Sequence, residues 1–405
     1  MISMNVEFRA QFPALSRRHR DKALIFLDGP AGVQVPRQVI DAVSHYYARS
    51  NANAHGVFLT SRETDAVMDH TRLMMSAFLG AEGPETISFG QNMTSLNFAL
   101  ARAIGRNLQA GDEILITQLD HEGNRGPWLS LRERGIVVRE VRLRPEGVLD
   151  YEDLISKVGD RTRLIAAGFA SNLLGTVNDL QLLRRIAYEA GAWLLIDAVH
   201  AAPHFPIEVT EIGCDFLLCS AYKFYGPHVG ILYARPGLLD RLQPDRLRTA
   251  YQHAPFSIET GTLNHAAIAG VAAAVEFIAD QGEGQDVRAR LATAMQRIQA
   301  YEAGLLRMLY DGLSDIPGIE IHGLPPTAAR RAPTLAISLE GRSPEEVCHL
   351  LANENIFAWN GHFYAIRAIE VLGLLEKGGV TRLGISAYTT QDEIEEVINV
   401  FRQIT

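Results

Sequence analysis

The chain has 405 residues, a net charge of −9 and 47% hydrophobic residues. That length is ample for a large core, the mild acidity argues against a nucleic-acid partner, and the longest apolar stretch, Ala266 to Ala279, is broken by Glu276 and too short to span a bilayer. The start carries Glu7 and Arg9 with no apolar signal core. Three cysteines, Cys214, Cys219 and Cys348, make neither a disulfide framework nor a CxxC metal site. The expectation is a reduced, cytoplasmic setting with no membrane association and no metal.

From about residue 21 to 275, short apolar strands alternate with helical stretches. The strands are Ala23 to Leu27, Thr86 to Phe89, Glu113 to Thr117, Val137 to Arg142, Leu164 to Phe169, Trp193 to Ile196, Phe216 to Cys219 and Val229 to Ala234. Helical patterns such as Thr94 to Ile104 and Leu180 to Ala190 lie between them. This alternation predicts an α/β layered domain with a largely parallel sheet. The last two strands are too close for a helical crossover, so that pair is expected to be antiparallel. From about residue 276 to 405 the pattern changes to a smaller α+β domain. It begins with a helical stretch to about Asp311, followed by a strand at Thr334 to Leu339. Ser343-Pro344-Glu345-Glu346 then reads as a capping box with proline at the first helical position. Strands near Ile356 to Trp359 and Thr381 to Ser386 precede a last helix opened by Thr390 and Glu393. Residues 1–20 are expected to pack on this domain or on the domain interface.

Lys223 lies between two apolar runs, after Ser220-Ala221-Tyr222 and before a Gly-Pro turn. An edge lysine would face solvent there; a buried one must be paired, lose its proton or react with a carbonyl. Asp197 closes another buried run, Trp193 to Ile196. A buried lysine and aspartate at strand ends suit pyridoxal phosphate (PLP): the amine holds the aldehyde and the carboxylate faces the pyridinium nitrogen.

Other strand ends add to this. Asn92, Met93 (through its backbone) and Thr94 open a helix and suit a phosphate, although Thr94 alone also fits a plain N-cap. His121 follows a strand end, where open α/β sheets bind ligands; it suits stacking on an aromatic cofactor or shuttling protons, and fits a surface loop equally well. Asn172 follows the strand Leu164 to Phe169 and suits the cofactor's phenolic oxygen. After Asp197, Val199 suits packing beneath a ring and His200 contacting the same oxygen. No GxGxxG follows the early strands, which disfavours a dinucleotide site.

In this order and at these places the motifs resemble the class V aminotransferase family of fold-type I PLP enzymes, in its cysteine desulfurase and selenocysteine lyase branch. Leu27-Asp28-Gly29-Pro30-Ala31 resembles that family's Leu-Asp-Asn-Ala-Ala opening, and Asn53-Ala54-His55-Gly56 its Asn-x-His-Arg-Gly stretch. Asp120 to Asn124 resembles Glu-His-x-Ala-Asn, Ser171 to Gly175 resembles Ser-Asn-Val-x-Gly, and Ser220 to Lys223 resembles Ser-x-His-Lys. The resemblance implies that Lys223 holds PLP and later shuttles a proton, Asp197 keeps the ring nitrogen protonated and His121 stacks on the ring. It implies phosphate contacts from Thr94, Ser220 and Tyr222, the last replacing the usual histidine. Glu259-Thr260-Gly261-Thr262 resembles Glu-x-Gly-Thr, whose threonine reaches the neighbouring subunit's phosphate, so Thr262 implies a homodimer. Arg382 matches the arginine that clamps the substrate carboxylate; Ala31 and His55 are expected near the substrate.

One motif departs from the family. Cysteine desulfurases carry Arg-x-Gly-x-x-Cys, whose thiolate attacks the substrate sulfur. Here the segment is Trp359-Asn360-Gly361-His362-Phe363-Tyr364, with Trp359 for the arginine and Tyr364 for the cysteine. The three cysteines present are expected to be structural. The expected activity is therefore a C–S lyase reaction on a cysteine-derived amino acid without an enzyme persulfide. Transamination and epimerisation remain enzymatic alternatives, and a PLP-binding protein with little turnover is the non-enzymatic one. Trp359, His362, Phe363 and Tyr364 form an aromatic wall that hints at a substrate bulkier than cysteine.

Overall fold

The structure is a computed structural model and describes residues 6–328 and 330–405. Residues 1–5 of the expected N-terminal segment lie outside it. A seven-stranded sheet forms the centre, built from β1 (Ile87–Gly90), β2 (Glu113–Thr117), β3 (Val137–Val141), β4 (Thr162–Gly168), β5 (Trp193–Asp197), β6 (Phe216–Ser220) and β7 (Gly230–Ala234). Their spatial order is β1-β7-β6-β5-β4-β2-β3. The pairs among β2 to β6 are parallel, and β7 runs antiparallel to both neighbours. Every residue of β6 and β7 is buried, which is why they read as unbroken apolar runs rather than alternating ones. The nine-residue stretch Ala221 to Val229 between them leaves no room for a helical crossover, so β7 returns antiparallel as the sequence predicts.

A second sheet holds β8 (Ile319–His322), β9 (Thr334–Leu339), β10 (Trp359–Gly361) and β11 (Val380–Gly384), in the order β8-β9-β11-β10. The apolar run expected at Ala23 to Leu27 does not join the central sheet: Ile25–Phe26 pairs in parallel with Ile356–Phe357. Both its residues are buried, and burial alone does not tell an apolar dipeptide which sheet it will meet. The long helical stretch from residue 276 is also two helices, His265–Ala279 and Val287–Ser314. Between them Gly282 has no space for a Cβ, which would sit 1.9 Å from the Arg290 carbonyl, and Asp286 caps the second helix by accepting the Ala289 N–H at 2.8 Å. The two capping boxes read from the sequence, Ser343 with Glu346 and Thr390 with Glu393, open their helices as expected.

Phe8 and Phe12 bury their rings against Phe277 of the helix His265–Ala279, and Phe12 also meets Tyr388. Arg9 pairs with Glu393 at 2.5 Å. The N-terminal segment thus bridges the helices beneath the central sheet and the C-terminal helix.

A buried ion pair anchors the segment that carries Thr262. Arg72 forms a two-pronged contact with Glu259 (2.8 Å for each bond), and Glu259 also accepts the Phe89 N–H of β1 at 2.7 Å. The guanidinium lies between the rings of Phe89 and Phe256, 4.9 and 5.0 Å from their centroids. Removing one partner strands the other charge away from water. Glu259→Ala should therefore lower unfolding free energy by about 3–5 kcal/mol. Urea titration checks this; a loss below about 1 kcal/mol, the level of an exposed pair, would contradict it.

Candidate active site

The carboxyl ends of β2, β4, β5 and β6 open into one cavity of about 1030 Å³. This is where a doubly wound sheet binds its ligand. Lys223 ends the helical turn after β6, is 8% exposed and donates to the Pro30 carbonyl. Burial, helped by the charge of Arg382 and opposed by Asp197, pulls its pKa down to about 7. Asp197 ends β5, and its carboxylate accepts the Val199 N–H at 2.9 Å. Burial and the neighbouring Asp120 push Asp197 up to about 7, against the opposing pull of the Val199 N–H and Lys223. Asp120 and Asn124 fix the loop after β2: Asp120 accepts the Gly168 N–H at 2.8 Å and the Asn124 amide at 3.1 Å. On that loop His121 accepts the Gly123 N–H at its Nδ1, 2.8 Å away, so the neutral ring carries its hydrogen on Nε2. Burial, together with Lys223 and Arg382, lowers the His121 pKa to about 4.

The structure brings together Ala31, Asn92, Met93, Thr94, His121, Asn172, Asp197, Val199, His200, Ser220, Tyr222, Lys223, Trp359, Tyr364 and Arg382 as lining of this one cavity. It does not bring His55 or Thr262 there; both sit on exposed segments. His55 instead faces Asp65, 3.2 Å from its ring, and the ring of Tyr251.

Several detailed expectations change. Asn92, not Thr94, caps the helix Met93–Gly105: its side chain accepts the Ser95 N–H at 2.9 Å. The Met93 N–H is donated to the Ser220 hydroxyl at 2.9 Å. Both atoms are thus already used within the protein, and they build the anion cradle rather than face it. Thr94 and the Ser220 O–H remain as donors. The loop is held tight because Gly230 of β7 passes beneath it, where a Cβ would lie 2.3 Å from the Asn92 carbonyl carbon. Asn172 donates one amide hydrogen to the Phe363 carbonyl at 2.9 Å, which leaves one for another acceptor. His200 shares a 3.0 Å hydrogen bond with Thr334.

Arg382 of β11 is 4% exposed, donates to the Asn172 carbonyl at 2.9 Å and lies 4.0 Å from the centre of the Phe363 ring. Burial lowers its pKa to about 9, and Asp28 opposes that shift. One oxygen of Asp28 is buried without a partner. The motif signals missed His228, whose ring stacks on Tyr222 at 4.6 Å with planes 7° apart, and Phe98 of the helix Met93–Gly105. No sequence pattern marks either one, because each reaches the cavity through the fold alone. None of the three cysteines lines the cavity: Cys214 and Cys219 are buried and burial raises both thiols, while Cys348 is raised to about 11.

These residues fit PLP. A buried, readily neutral lysine, a facing carboxylate, a flat imidazole and a helix N-terminus with two free hydroxyls match the aldehyde, ring nitrogen, ring face and phosphate. The fold and cavity define an α/β protein of the PLP-dependent fold type I. Residues 25–397 match the Aminotransferase class-V family, and the chain belongs to it. Members of this family use PLP. The chain is 31% identical to a cysteine desulfurase of Salmonella agona over 96% of its own length and 95% of the relative's. It is 34% identical to a probable cysteine desulfurase of Mycobacterium leprae over 98% of its length, but spans only 64% of that relative. Among solved structures, the apo cysteine desulfurase of Thermococcus onnurineus superposes with a TM-score of 0.88 at 25% identity, over 100% of this chain and 99% of the other. The Escherichia coli cysteine desulfurase CsdA gives 0.85 at 27% identity, over 98% and 97%. Within that family the chain is similar to cysteine desulfurases in both sequence and structure. Among the described residues, no helix is long and apolar enough to cross a membrane.

The pKa of Lys223 sets a pH dependence for cofactor capture. Only the neutral amine attacks the PLP aldehyde. Its folded value is depressed, so the neutral form dominates above about 7 and is lost below it. The rate at which apo-protein gains a visible PLP band should rise with pH up to about 7 and then level off. A rate still climbing towards the ordinary lysine range would contradict this.

Proposed function

We propose that the protein is a PLP-dependent C–S lyase that cleaves cysteine, cystine or a cysteine conjugate by α,β-elimination, with no persulfide on the enzyme. The observation that carries this reading is that no cysteine lines the cavity, while Tyr364 occupies the segment where desulfurase relatives are expected to present their thiolate. The net reaction is R–S–CH₂–CH(NH₃⁺)–COO⁻ plus water giving R–SH, pyruvate and ammonium. The Cβ–S and Cα–N bonds break, water supplies the keto oxygen of pyruvate, and no external oxidant or reductant is needed.

When bound, PLP supplies an electron sink that acidifies the substrate Cα–H. Lys223 holds the cofactor and, once released from it, takes the Cα proton. Asp197 keeps a negative charge against the ring nitrogen. His121, neutral and fixed by Gly123, covers the ring face without adding charge. Asn172 and His200 would contact the phenolic oxygen, and Val199 would pack against the ring. Thr94, Ser220 and Tyr222 would hold the phosphate, with Asn92 and Met93 shaping that part of the cavity. Arg382 binds the substrate carboxylate, with Ala31 beside it. The same groups suit transamination, and product analysis separates the two.

A homodimer follows from the same reading. His55 and Thr262 lie away from their own chain's cavity, and Val57, Phe58, Leu59 and Leu247 are exposed nearby in sequence. Such apolar exposure suits a partner surface. The large unit at 21–275, the small unit at 276–405 and the bridging N-terminal segment belong to this proposal, and three unpaired cysteines support a reducing, cytoplasmic setting.

Purified protein should show a visible PLP band that Lys223→Ala abolishes, with turnover reduced at least about a thousandfold. Cystine or a thioether should yield pyruvate, and intact-mass analysis should find no sulfur adduct on the protein. A persulfide on any of the three cysteines would restore the desulfurase reading; a need for an oxo-acid acceptor would make the protein an aminotransferase. Sedimentation should give a dimer, and a monomer at micromolar concentration would remove the role of Thr262.

A further inference from the structure

The two halves of the cavity are built differently. Around Lys223, Asp197, His200 and Arg382 the inner half is polar, and each of these side chains is under one tenth exposed. The outer half carries Trp359, 51% exposed, Tyr364, 67% exposed, and Phe98, 37% exposed. Among the described residues, Lys223 and Arg382 are the only lysine and arginine in the lining, and both belong to the inner half. An anionic tail on a substrate would find no lysine or arginine outside it, only hydrogen-bond donors such as Asn360 and the His228 and His362 rings. An aromatic ring would find exposed faces of Trp359, Tyr364 and Phe98.

Tyr364 is held in place at a cost. Phe363 and Tyr364 have φ of +52° and +59°, a left-handed conformation that bulky residues rarely adopt. Strain of this kind persists only where surrounding contacts enforce it, and it gathers at ligand sites. Here the contacts are explicit. The Tyr364 carbonyl accepts the Glu122 N–H at 2.6 Å, its own N–H donates to the His362 ring at 3.1 Å, and the Phe363 carbonyl accepts from Asn172. Just after the turn, Arg367 pairs with Glu140 and Glu370, each at 3.0 Å. The result turns Phe363 inward onto Arg382 and sets the Tyr364 ring over His121, 5.4 Å away and tilted by 35°. Most of the Tyr364 ring stays open to the cavity mouth.

We propose that Trp359, Tyr364 and Phe98 form a subsite for an aromatic ring carried on the substrate's sulfur, so that the substrate class is an uncharged aryl or arylalkyl thioether of cysteine. The proposal rests on the lyase reading only for the fate of the sulfur; binding at the subsite does not depend on it. S-benzyl-L-cysteine and S-butyl-L-cysteine compare the two cases cleanly. Both lose an alkyl thiolate, but benzyl thiol is the more acidic of the two, so the ring is read from the binding constants and from the change of the kcat/KM ratio in the variants. Elimination from the first gives benzyl thiol, pyruvate and ammonium, with water as the only co-reactant.

With the holoenzyme, kcat/KM for the benzyl compound should exceed that for the butyl compound by about three- to tenfold. Trp359→Ala and Tyr364→Ala should each lower the kcat/KM ratio and the benzyl preference in binding, and Tyr364→Phe should keep both, since the ring rather than the hydroxyl is used. Spectral titration of the holoenzyme gives binding constants for the same pair whether or not turnover occurs. Tighter benzyl binding without pyruvate would sink the lyase reading and leave the subsite standing. Pyruvate from both compounds, with equal kcat/KM and equal affinity, would overturn the subsite and leave the lyase reading. A preference unchanged in both alanine variants, or failure of the benzyl compound to bind, would also overturn it.

Discussion

The structure is organised around three ionisable groups, Lys223, Asp197 and Arg382, buried in one cavity between the end of the central sheet and β11 of the second sheet. Each is displaced towards its neutral form: Lys223 and Asp197 to about 7 and Arg382 to about 9, with burial as the leading cause in every case. Burying unpaired charge is among the most costly things a fold can do. The aldehyde and ring nitrogen of PLP, with a substrate carboxylate, would together relieve all three. The cavity is preorganised in that sense, because the partners of these groups come from cofactor and substrate.

That constraint explains how much of the protein is spent on holding loops. Asp120 ties the loop after β2 to the end of β4 through Gly168. Ser220 ties the end of β6 to the first turn of the helix Met93–Gly105, and Gly230 lets that turn approach β7. Arg72 and Glu259 carry the neighbouring segment on β1. Each tie joins the end of one strand to a different element. Groups far apart in the sequence therefore meet with little freedom, which is what catalysis by positioning requires.

Most of the central sheet was legible because its signal is local. β6 and β7 are buried throughout and almost wholly apolar, and the nine residues between them decide that they pair antiparallel. The site residues were legible for a related reason: a chain that puts Lys223, Asp197, His121 and the Asn92 turn at successive strand ends must bring them to one edge of a parallel sheet. The atoms each one uses were not legible. Asn92 and Met93 read as anion donors but spend their polar groups on Ser95 and Ser220. Phe98 and His228 carry no motif at all, and only packing turns them into the cavity.

The sequence by itself determined the alternation of strands and helices, the helix caps, the order of the strand-end residues and the lack of a cysteine in the segment 359–364. All of these follow from near neighbours along the chain. Only the tertiary structure decided that Ile25–Phe26 pairs with Ile356–Phe357, that Phe363 covers Arg382, and that His55 and Thr262 lie off their own chain's cavity. Each of those depends on contacts between segments distant along the chain. Their energy comes from mutual burial and hydrogen bonding, which no single stretch of sequence can specify.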